Sequence, residues 1–171
     1  MEFFEVLKAR HSIRAFAATP LEEEKLKAIL EAANRAPSAG DIQGYEIYQV
    51  KRASDRAALA RAALGQEFVA QAPLALVFCA NPARSARRYG QRGVRLYALQ
   101  DATIACTFAM LAATALGLAT VWVGAFDDEA VHRAIAAPEG ILPVAILPLG
   151  YAAEQPELTP RRRLSDLVHE V

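Results

Sequence analysis

The residues near the start of the chain that are best suited to chemistry form the run Arg10-His11-Ser12-Ile13-Arg14. Alternate residues of an extended segment face the same way, so Arg10, Ser12 and Arg14 would present two guanidinium groups and a hydroxyl to one ligand. Arginine forms bidentate, charge-assisted bonds to oxyanions, so this spacing is typical of a phosphate site. The alternative is a helix C-terminus decorated with arginine, where cations interact favourably with the helix dipole.

Three further stretches carry groups suited to ligand contact. Between residues 36 and 45, small side chains would let the backbone approach a planar ligand, and Gln43 offers both a donor and an acceptor. The alternative there is an ordinary helix-to-strand connection. In Trp122-Val123-Gly124-Ala125-Phe126, Gly124 could expose its N–H to a ring nitrogen, or the stretch could be a core strand ending in a turn. The basic run 161–163 would meet a phosphate or carboxylates if the tail docks, and would otherwise be a solvated patch.

The three histidines, His11, His132 and His169, are too scattered along the chain to indicate a metal site. His11 is expected to make a structural hydrogen bond in preference to donating a proton. Asp101 is the one acidic residue in the middle of an apolar helix. A buried, hydrogen-bonded structural role is favoured for it over a ligand role, because an unpaired buried carboxylate is costly.

Length and composition favour one compact domain spanning residues 1–171. Apolar residues make up 54% of the chain, a surplus for which burial against a second subunit is a natural outlet. The net charge is zero and the pI is about 6.8, which argues against a general nucleic-acid binder or a protein of acidic membrane surfaces.

The uncharged stretch 102–126 is rich in Ala, Thr and Gly, and we interpret it as a buried helix followed by a buried strand, not as a membrane span.

The two cysteines, Cys79 and Cys106, lie far apart and form no CxxC pair. A disulfide scaffold or a zinc site is therefore not expected, and a reducing cytoplasm fits. The first residues, MEFFEVLKAR, lack a basic segment followed by an apolar run, so no secretory signal is expected.

Hydrophobic periodicity and turn residues predict the elements that must position these groups. The predicted helices are 2–9, a helix from the Thr19 cap to about Ala33, one from the Ser54 cap to about Ala63, a short turn or helix at 66–71, 94–116, and one from the Asp127 cap to about Ala136. The predicted strands are 45–51, 74–79, 119–123 and 142–149. Residues 10–18 are expected to be an extended loop and 81–93 an arginine-rich surface loop, with or without some helix. Strands and helices mix without a clean β-α-β rhythm, which favours an α+β fold.

The helix predicted at 94–116 is apolar nearly all round, which is typical of a helix enclosed on every side. In a domain of this size, such enclosure is easiest if the helix also packs across a two-fold axis of a dimer.

In their order along the chain, the chemistry-bearing stretches resemble the nitroreductase family of FMN enzymes over nearly the whole length. The matching stretches are RHSIR at 10–14, RAPSAGDIQ at 35–43, WVGAF at 122–126 and PRRRLSDLV at 160–168. Each is short, and the combination is specific. The resemblance implies a nitroreductase-like α+β fold with a central, mainly antiparallel sheet flanked by helices. It also implies a homodimer with the long buried helix at its interface.

The resemblance implies which residues would hold the phosphate end of FMN. Arg10 and Ser12 would bind the phosphate and the ribityl side, and His11 belongs to the same motif. Arg161, together with Arg162, would complete the phosphate site from the other end of the chain.

The resemblance also implies how the isoalloxazine ring would be held. Arg14 would lie near its N1–O2 edge as an electrostatic stabiliser of the negative charge that develops on reduction. A first set of ring contacts would come from the partner subunit, namely Pro37, Ser38 and Ala39, with Gln43 nearby. A second set would come from Val123 and Gly124. Two positions depart from the family pattern, since Asp41 stands where Asn is frequent and Gly44 where Pro is frequent, and this leaves the effect on the flavin pocket open.

The implied function is a ping-pong oxidoreductase. NADH or NADPH would reduce FMN and leave, and a quinone, nitroaromatic or similar acceptor would then take two electrons. No catalytic triad is required, since the flavin carries the chemistry at N5 and the protein supplies positioning and electrostatics. Two alternatives are a specialised flavin enzyme of the same fold, for dehalogenation or flavin fragmentation, and a non-catalytic FMN-binding protein.

Overall fold

The computed structural model describes residues 1–171 as a four-stranded sheet with helices on both faces. The α-helices are α1 Phe3–Ala9, α2 Glu23–Asn34, α3 Ala53–Ala62, α4 Phe68–Gln71, α5 Pro82–Arg92, α6 Ala98–Ala115 and α7 Asp128–Ala134. The strands are β1 Tyr45–Val50, β2 Leu74–Ala80, β3 Ala119–Thr120 and β4 Leu142–Gly150. Short 3₁₀ turns occupy Ala39–Asp41 and Leu164–Asp166, and one π-helical turn spans Gly93–Tyr97.

The sheet has the strand order β1-β2-β4-β3, and every pair of neighbouring strands is antiparallel. Tyr45 pairs with Ala80 at one end of the β1–β2 ladder, and Leu74 pairs with Leu149 between β2 and β4. The predicted α+β class with a mainly antiparallel central sheet is therefore confirmed.

Strand β2 divides the core into two halves because its successive side chains point to opposite faces of the sheet. Leu74, Leu76 and Phe78 face a cluster built with α2 and α6, while Val77 and Cys79 face a cluster built with α3, α4 and α7. All seven residues of β2 are buried. The continuous apolar run in the sequence thus reflects a strand covered by helices on both faces.

Strand β3 is shorter than the predicted strand 119–123. Its register with β4 would place Val121 opposite Pro148, and proline has no N–H to donate to the ladder. Pairing resumes only as an isolated bridge between Val123 and Ile146, where each N–H donates to the other residue's carbonyl at 3.0 Å.

Two predicted helix caps are wrong, and one is confirmed. Helix α2 begins at Glu23, not after Thr19, since Glu22 keeps an extended backbone with ψ 134°. The Glu22 carboxylate accepts a hydrogen bond from the Tyr151 hydroxyl at 2.7 Å. Helix α3 begins one residue before Ser54, whose hydroxyl donates to the adjacent carboxylate instead of capping the helix. Asp127 caps α7 as predicted, since its side chain accepts from the N–H of Ala130 at 2.8 Å.

The arginine-rich stretch 81–93, predicted as a surface loop with or without some helix, is mostly helix α5. The Asn81 side chain accepts a hydrogen bond from the N–H of Arg84 at 3.1 Å, and Pro82 occupies the first turn. These are ordinary signals of a helix start, and the arginine-rich composition obscured them. Gly90, with φ 50° and ψ −135°, interrupts the helical geometry near the end.

Helix α6 is half buried within one chain, so the prediction that it is enclosed on every side is not met by the monomer. Its buried face packs against α2 and the sheet, and Leu99 and Phe108 remain 47% and 37% exposed on the opposite face. The helical stretch 82–115 is long and apolar enough to cross a membrane by length and composition, a test that core helices of soluble proteins also pass.

Candidate active site

The segment containing residues 10–14 is held extended between two other parts of the chain. The N–H of Ile13 donates to the carbonyl of Thr120 at 3.1 Å, and Ser12 forms a parallel bridge with Thr120. On the other side, Phe16 bridges Ala152, which follows β4. Ile13 and Phe16 are buried in the core. Ser12 and Arg14, on either side of Ile13, are exposed, as the alternation of an extended segment predicts, whereas the buried Phe16 departs from that alternation.

A cavity of about 390 Å³ lies beside this segment, and none of the residues that line it is hydrophobic. The lining residues are Arg10, His11, Ser12, Arg14, Glu154, Gln155, Pro156, Glu157, Thr159 and Arg161. Arginines from opposite ends of the polypeptide therefore meet at one place, as the motif order predicts.

The three guanidinium groups of this cavity have no partner within the chain. Arg10, Arg14 and Arg161 take part in no ion pair, and their side chains donate no hydrogen bond to the protein. Two carboxylates also line the cavity. Glu154 accepts a hydrogen bond from the backbone N–H of Arg14, which fixes it against one wall, and Glu157 lies nearby.

The donor set of this cavity fits the phosphate end of FMN. Three unpaired guanidinium groups and the hydroxyl of Ser12 offer charge-assisted hydrogen bonds to phosphate oxygens. With three arginines and two glutamates, the lining keeps a net positive charge. His11 also lines the cavity. Its Nδ1 lies 3.0 Å from the carbonyl oxygen of Ala9, which is the structural hydrogen bond expected for it.

The stretch 37–43, predicted to line the flavin ring, does not border this cavity within one chain. Its conformation is fixed locally. The Ser38 hydroxyl accepts from the N–H of Gln43 at 3.0 Å, and the Gln43 amide donates to Asn34 Oδ1 at 2.9 Å. The residues predicted to hold the phosphate and those predicted to line the ring therefore do not share a cavity on the monomer.

Asp101 joins this loop to helix α6. Its carboxylate is 1% exposed and accepts hydrogen bonds from the N–H groups of Ala39, at 2.9 Å, and Gly44, at 3.0 Å. The preferred structural role of Asp101 is therefore what the structure shows. One buried acid fixes both ends of the loop to the core helix.

One of the two departures from the family pattern, Gly44, has a structural reason. A Cβ atom on Gly44 would lie 2.2 Å from the Ser85 hydroxyl, and a proline there would lack the N–H that donates to Asp101. Asp41 adopts φ 56°, a left-handed conformation that Asp and Asn both tolerate, so nothing in the structure explains the choice of Asp.

The remaining predicted contacts divide between the site and its surroundings. Thr120 pairs in parallel with Ser12, and the chain continues from there to the exposed Gly124, which does not line the cavity. Val123 is buried, and its backbone N–H and carbonyl are both hydrogen-bonded to Ile146. Arg162 does not line the cavity, since its guanidinium donates to the carbonyl oxygen of Asp166 at 2.6 Å.

Some residues at the site had no signal in the sequence. Glu154 and Glu157 carry no motif, and only the return of the tail past residue 152 brings them to the cavity. Arg84 and Arg88 donate to the carbonyls of Ile42 and Gly40, which lie 42 and 48 residues away in sequence, so no local pattern predicts these contacts.

Comparison with known proteins identifies the family of this chain. The model of the nitroreductase family matches residues 7–67 and 57–151, which together cover most of the chain. The chain belongs to the nitroreductase family. The resemblance found in the sequence is confirmed, and so is the nitroreductase-like fold.

Individual relatives are similar over nearly the whole chain. A putative NADH dehydrogenase/NAD(P)H nitroreductase of Methanothermobacter thermautotrophicus is 31% identical, over 91% of this chain and 80% of the relative. The oxygen-insensitive NADPH nitroreductase of Salmonella typhimurium is 32% identical, over 97% of this chain and 72% of the relative. The structure of NADPH:FMN oxidoreductase from Vibrio harveyi complexed with NAD⁺ superposes with a TM-score of 0.90 at 29% identity, over 98% of this chain and 76% of that one.

The loop anchor makes a specific prediction for Asp101→Asn. An amide presents only one acceptor where two N–H groups now point, so we expect the unfolding free energy to fall by about 1–3 kcal/mol and the Ala39 and Gly44 amides to exchange faster. Denaturant unfolding and hydrogen exchange measure the two effects. Gln100→Asn, on the exposed side of the same helix, is the matched control, with an expected change below about 0.5 kcal/mol. Equal behaviour of the two variants would contradict the anchoring role.

Proposed function

We propose that this nitroreductase-family chain is a homodimeric FMN enzyme that passes electrons from NADH or NADPH to a small acceptor such as a quinone or nitroaromatic. The class, an NAD(P)H-dependent flavin oxidoreductase, is confirmed by family membership together with relatives named NADPH nitroreductase and NADPH-flavin oxidoreductase. The acceptor, the dimer and the residue roles are the proposal.

The observation that carries the proposal is the meeting of three unpaired guanidinium groups in one polar cavity. Arg10, Arg14 and Arg161 repel one another there, and a bound dianion relieves that repulsion. Hydrogen bonds to a charged group contribute about 1.5–3 kcal/mol each. A phosphate ester held by two or three of these arginines would therefore be retained tightly.

FMN, when bound, would supply the two-electron redox chemistry between the dihydronicotinamide and the acceptor. The chain's own residues bind and orient. Arg10, Ser12 and Arg161 hold the phosphate end, with Arg162 a further candidate that must leave Asp166 to reach it. Arg14, on the same face of the segment, is assigned to the N1–O2 edge of the ring, where its charge stabilises the reduced cofactor.

A second copy of the chain is proposed to complete the site. The stretch 37–43 does not border the arginine cavity of its own chain, so the ring-lining residues Pro37, Ser38, Ala39 and Gln43 would come from the partner. The apolar groups left exposed support dimerisation. Besides Leu99 and Phe108 of α6, they include Phe3, Phe4, Leu164 and Val168, which are 60–75% exposed. Such groups are a natural core for an obligate interface.

A cytoplasmic location is part of the proposal. Cys79 and Cys106 are both free and buried. Burial and the charge of Glu46 raise the pKa of Cys79 to about 12. Burial also raises the pKa of Cys106. Both thiols are thus kept protonated and unreactive, as in a protein that needs no disulfide.

The phosphate site is tested with Arg10→Gln/Arg161→Gln. Loss of two charge-assisted contacts should raise the Kd for FMN by about a hundredfold or more, measured by flavin fluorescence titration of the apoprotein. Lys8→Gln/Arg163→Gln removes two charges from neighbouring positions whose side chains pair locally with Glu5 and Asp166, and it should bind FMN normally. A yellow, flavin-retaining double arginine variant would overturn the proposal.

The dimer is tested with Leu99→Arg/Phe108→Arg, which places charge on the exposed face of α6. Sedimentation should show the unmodified protein as a dimer and the variant shifted to monomer, with weakened FMN binding because the ring half of the site is lost. Leu64→Arg alters a side chain that is 72% exposed elsewhere and should leave the dimer intact. A monomeric unmodified protein that binds FMN tightly would contradict the shared site.

A further inference from the structure

The stretch 84–95 concentrates positive charge that the proposed phosphate site does not use. Its five arginines, here called the arginine patch, are Arg84, Arg87, Arg88, Arg92 and Arg95. All five are exposed, and none forms an ion pair. No Asp or Glu occurs between residues 82 and 97. In a chain of zero net charge, this is a strong local excess.

Aromatic rings hold part of the arginine patch in fixed positions. Tyr89 and Tyr97 meet edge to face, with centroids 5.0 Å apart. Arg88 lies 5.5 Å from the centre of Tyr89 and Arg92 lies 5.4 Å from that of Tyr97. The Nε of Arg92 also donates to the Tyr97 hydroxyl at 2.8 Å. Stacking of this kind orders guanidinium planes before any ligand arrives.

The backbone is shaped to make this cluster. Gly90 adopts φ 50° and ψ −135°, so the helix turns aside there, and the π-helical turn Gly93–Tyr97 follows. A Cβ on Gly93 would lie 2.6 Å from the carbonyl oxygen of Ser85, so only glycine permits this close packing. π-helical turns are frequent at functional sites. Here the break brings Tyr89 against Tyr97.

The arginine patch is anchored to the loop that is proposed to line the flavin ring. The Nε of Arg84 donates to the carbonyl of Ile42 at 2.6 Å, and Arg88 donates to that of Gly40 at 3.3 Å. A Cβ on Gly40 would lie 2.4 Å from the Tyr89 hydroxyl. The arginine patch therefore lies directly beside the loop that is proposed to line the flavin ring.

Arg87 and Arg95 are the two members of the patch whose side chains make no hydrogen bond to the protein. The other three donate hydrogen bonds to the loop 40–42 or to the Tyr97 hydroxyl. Arg87 and Arg95 are free to bind an external anion. The local excess of positive charge favours a ligand with several negative charges. Arg87 and Arg95 can donate charge-assisted hydrogen bonds to it, while their neighbours in the patch are already held in place.

We propose that the arginine patch binds the phosphate groups of NADPH, with Arg87 and Arg95 as direct contacts, and makes NADPH the preferred reductant over NADH. This rests on the proposed function. The dihydronicotinamide must meet the flavin ring to deliver its hydride, so the rest of the dinucleotide extends over the adjacent surface. The 2′-phosphate gives NADPH negative charge that NADH lacks, and the positively charged arginine patch attracts it.

The test compares flavin reduction in the holoenzyme and in Arg87→Gln/Arg95→Gln by stopped flow with three reductants: NADPH, NADH and the phosphate-free 1,4-dihydronicotinamide riboside. For NADPH, the second-order rate constant should fall about tenfold or more, since loss of one charge-assisted bond is worth about a factor of ten. For NADH the fall should be smaller, and for the riboside absent. The unmodified enzyme should prefer NADPH, and 2′,5′-ADP should inhibit it competitively but inhibit the variant weakly.

The matched control, Arg61→Gln/Arg133→Gln, removes two exposed charges from α3 and α7 and should leave all three rates unchanged. An unchanged NADPH rate in Arg87→Gln/Arg95→Gln, or an equal fall for all three reductants, overturns the phosphate site while the proposed function stands. If none of the three reduces the flavin of the unmodified holoenzyme, the proposed function itself fails and the inference with it.

Discussion

The candidate site depends on one extended segment, residues 10–17, which is hydrogen-bonded along both of its sides. Thr120 holds one side, while Tyr151 and Ala153 hold the other through backbone bonds of 2.9 Å. Ile13 and Phe16 of this segment enter the core, while Arg10 and Arg14 line the cavity to which the tail brings Arg161. Backbone pairing thus fixes the segment that carries two of the three arginines beside the tail that carries the third.

A second constraint connects the ring-lining loop to the core. Asp101 is buried in the apolar helix α6, and a carboxylate there must find donors. It finds them in the N–H groups of Ala39 and Gly44, so the loop conformation and the helix position are set together. This explains why a polar residue stands in an otherwise apolar helix. It also explains why Gly44 departs from proline, which could not donate.

The sequence predicted most where the pattern was local and repetitive. The alternation at Arg10, Ser12 and Arg14 and the buried run of β2 follow from side-chain period alone. Thr19 is not a helix cap because the backbone stays extended as far as Glu22, whose side chain meets the distant Tyr151. The length of β3 was overestimated because Pro148 lies in the neighbouring strand. Such partners are remote in sequence, so no local pattern could predict them. Helix α5 is different, since its cap at Asn81 was visible and was outweighed by composition.

The central claim is that the converging arginines recognise a phosphate, and the most direct measurement compares two flavins that differ only there. The apoprotein should be titrated with FMN and with riboflavin under the same conditions, following flavin fluorescence. If the guanidinium groups hold the phosphate, riboflavin should bind at least about a hundredfold more weakly, the loss expected for two or more charge-assisted bonds. Equal affinity for the two flavins would contradict the assignment of the cavity.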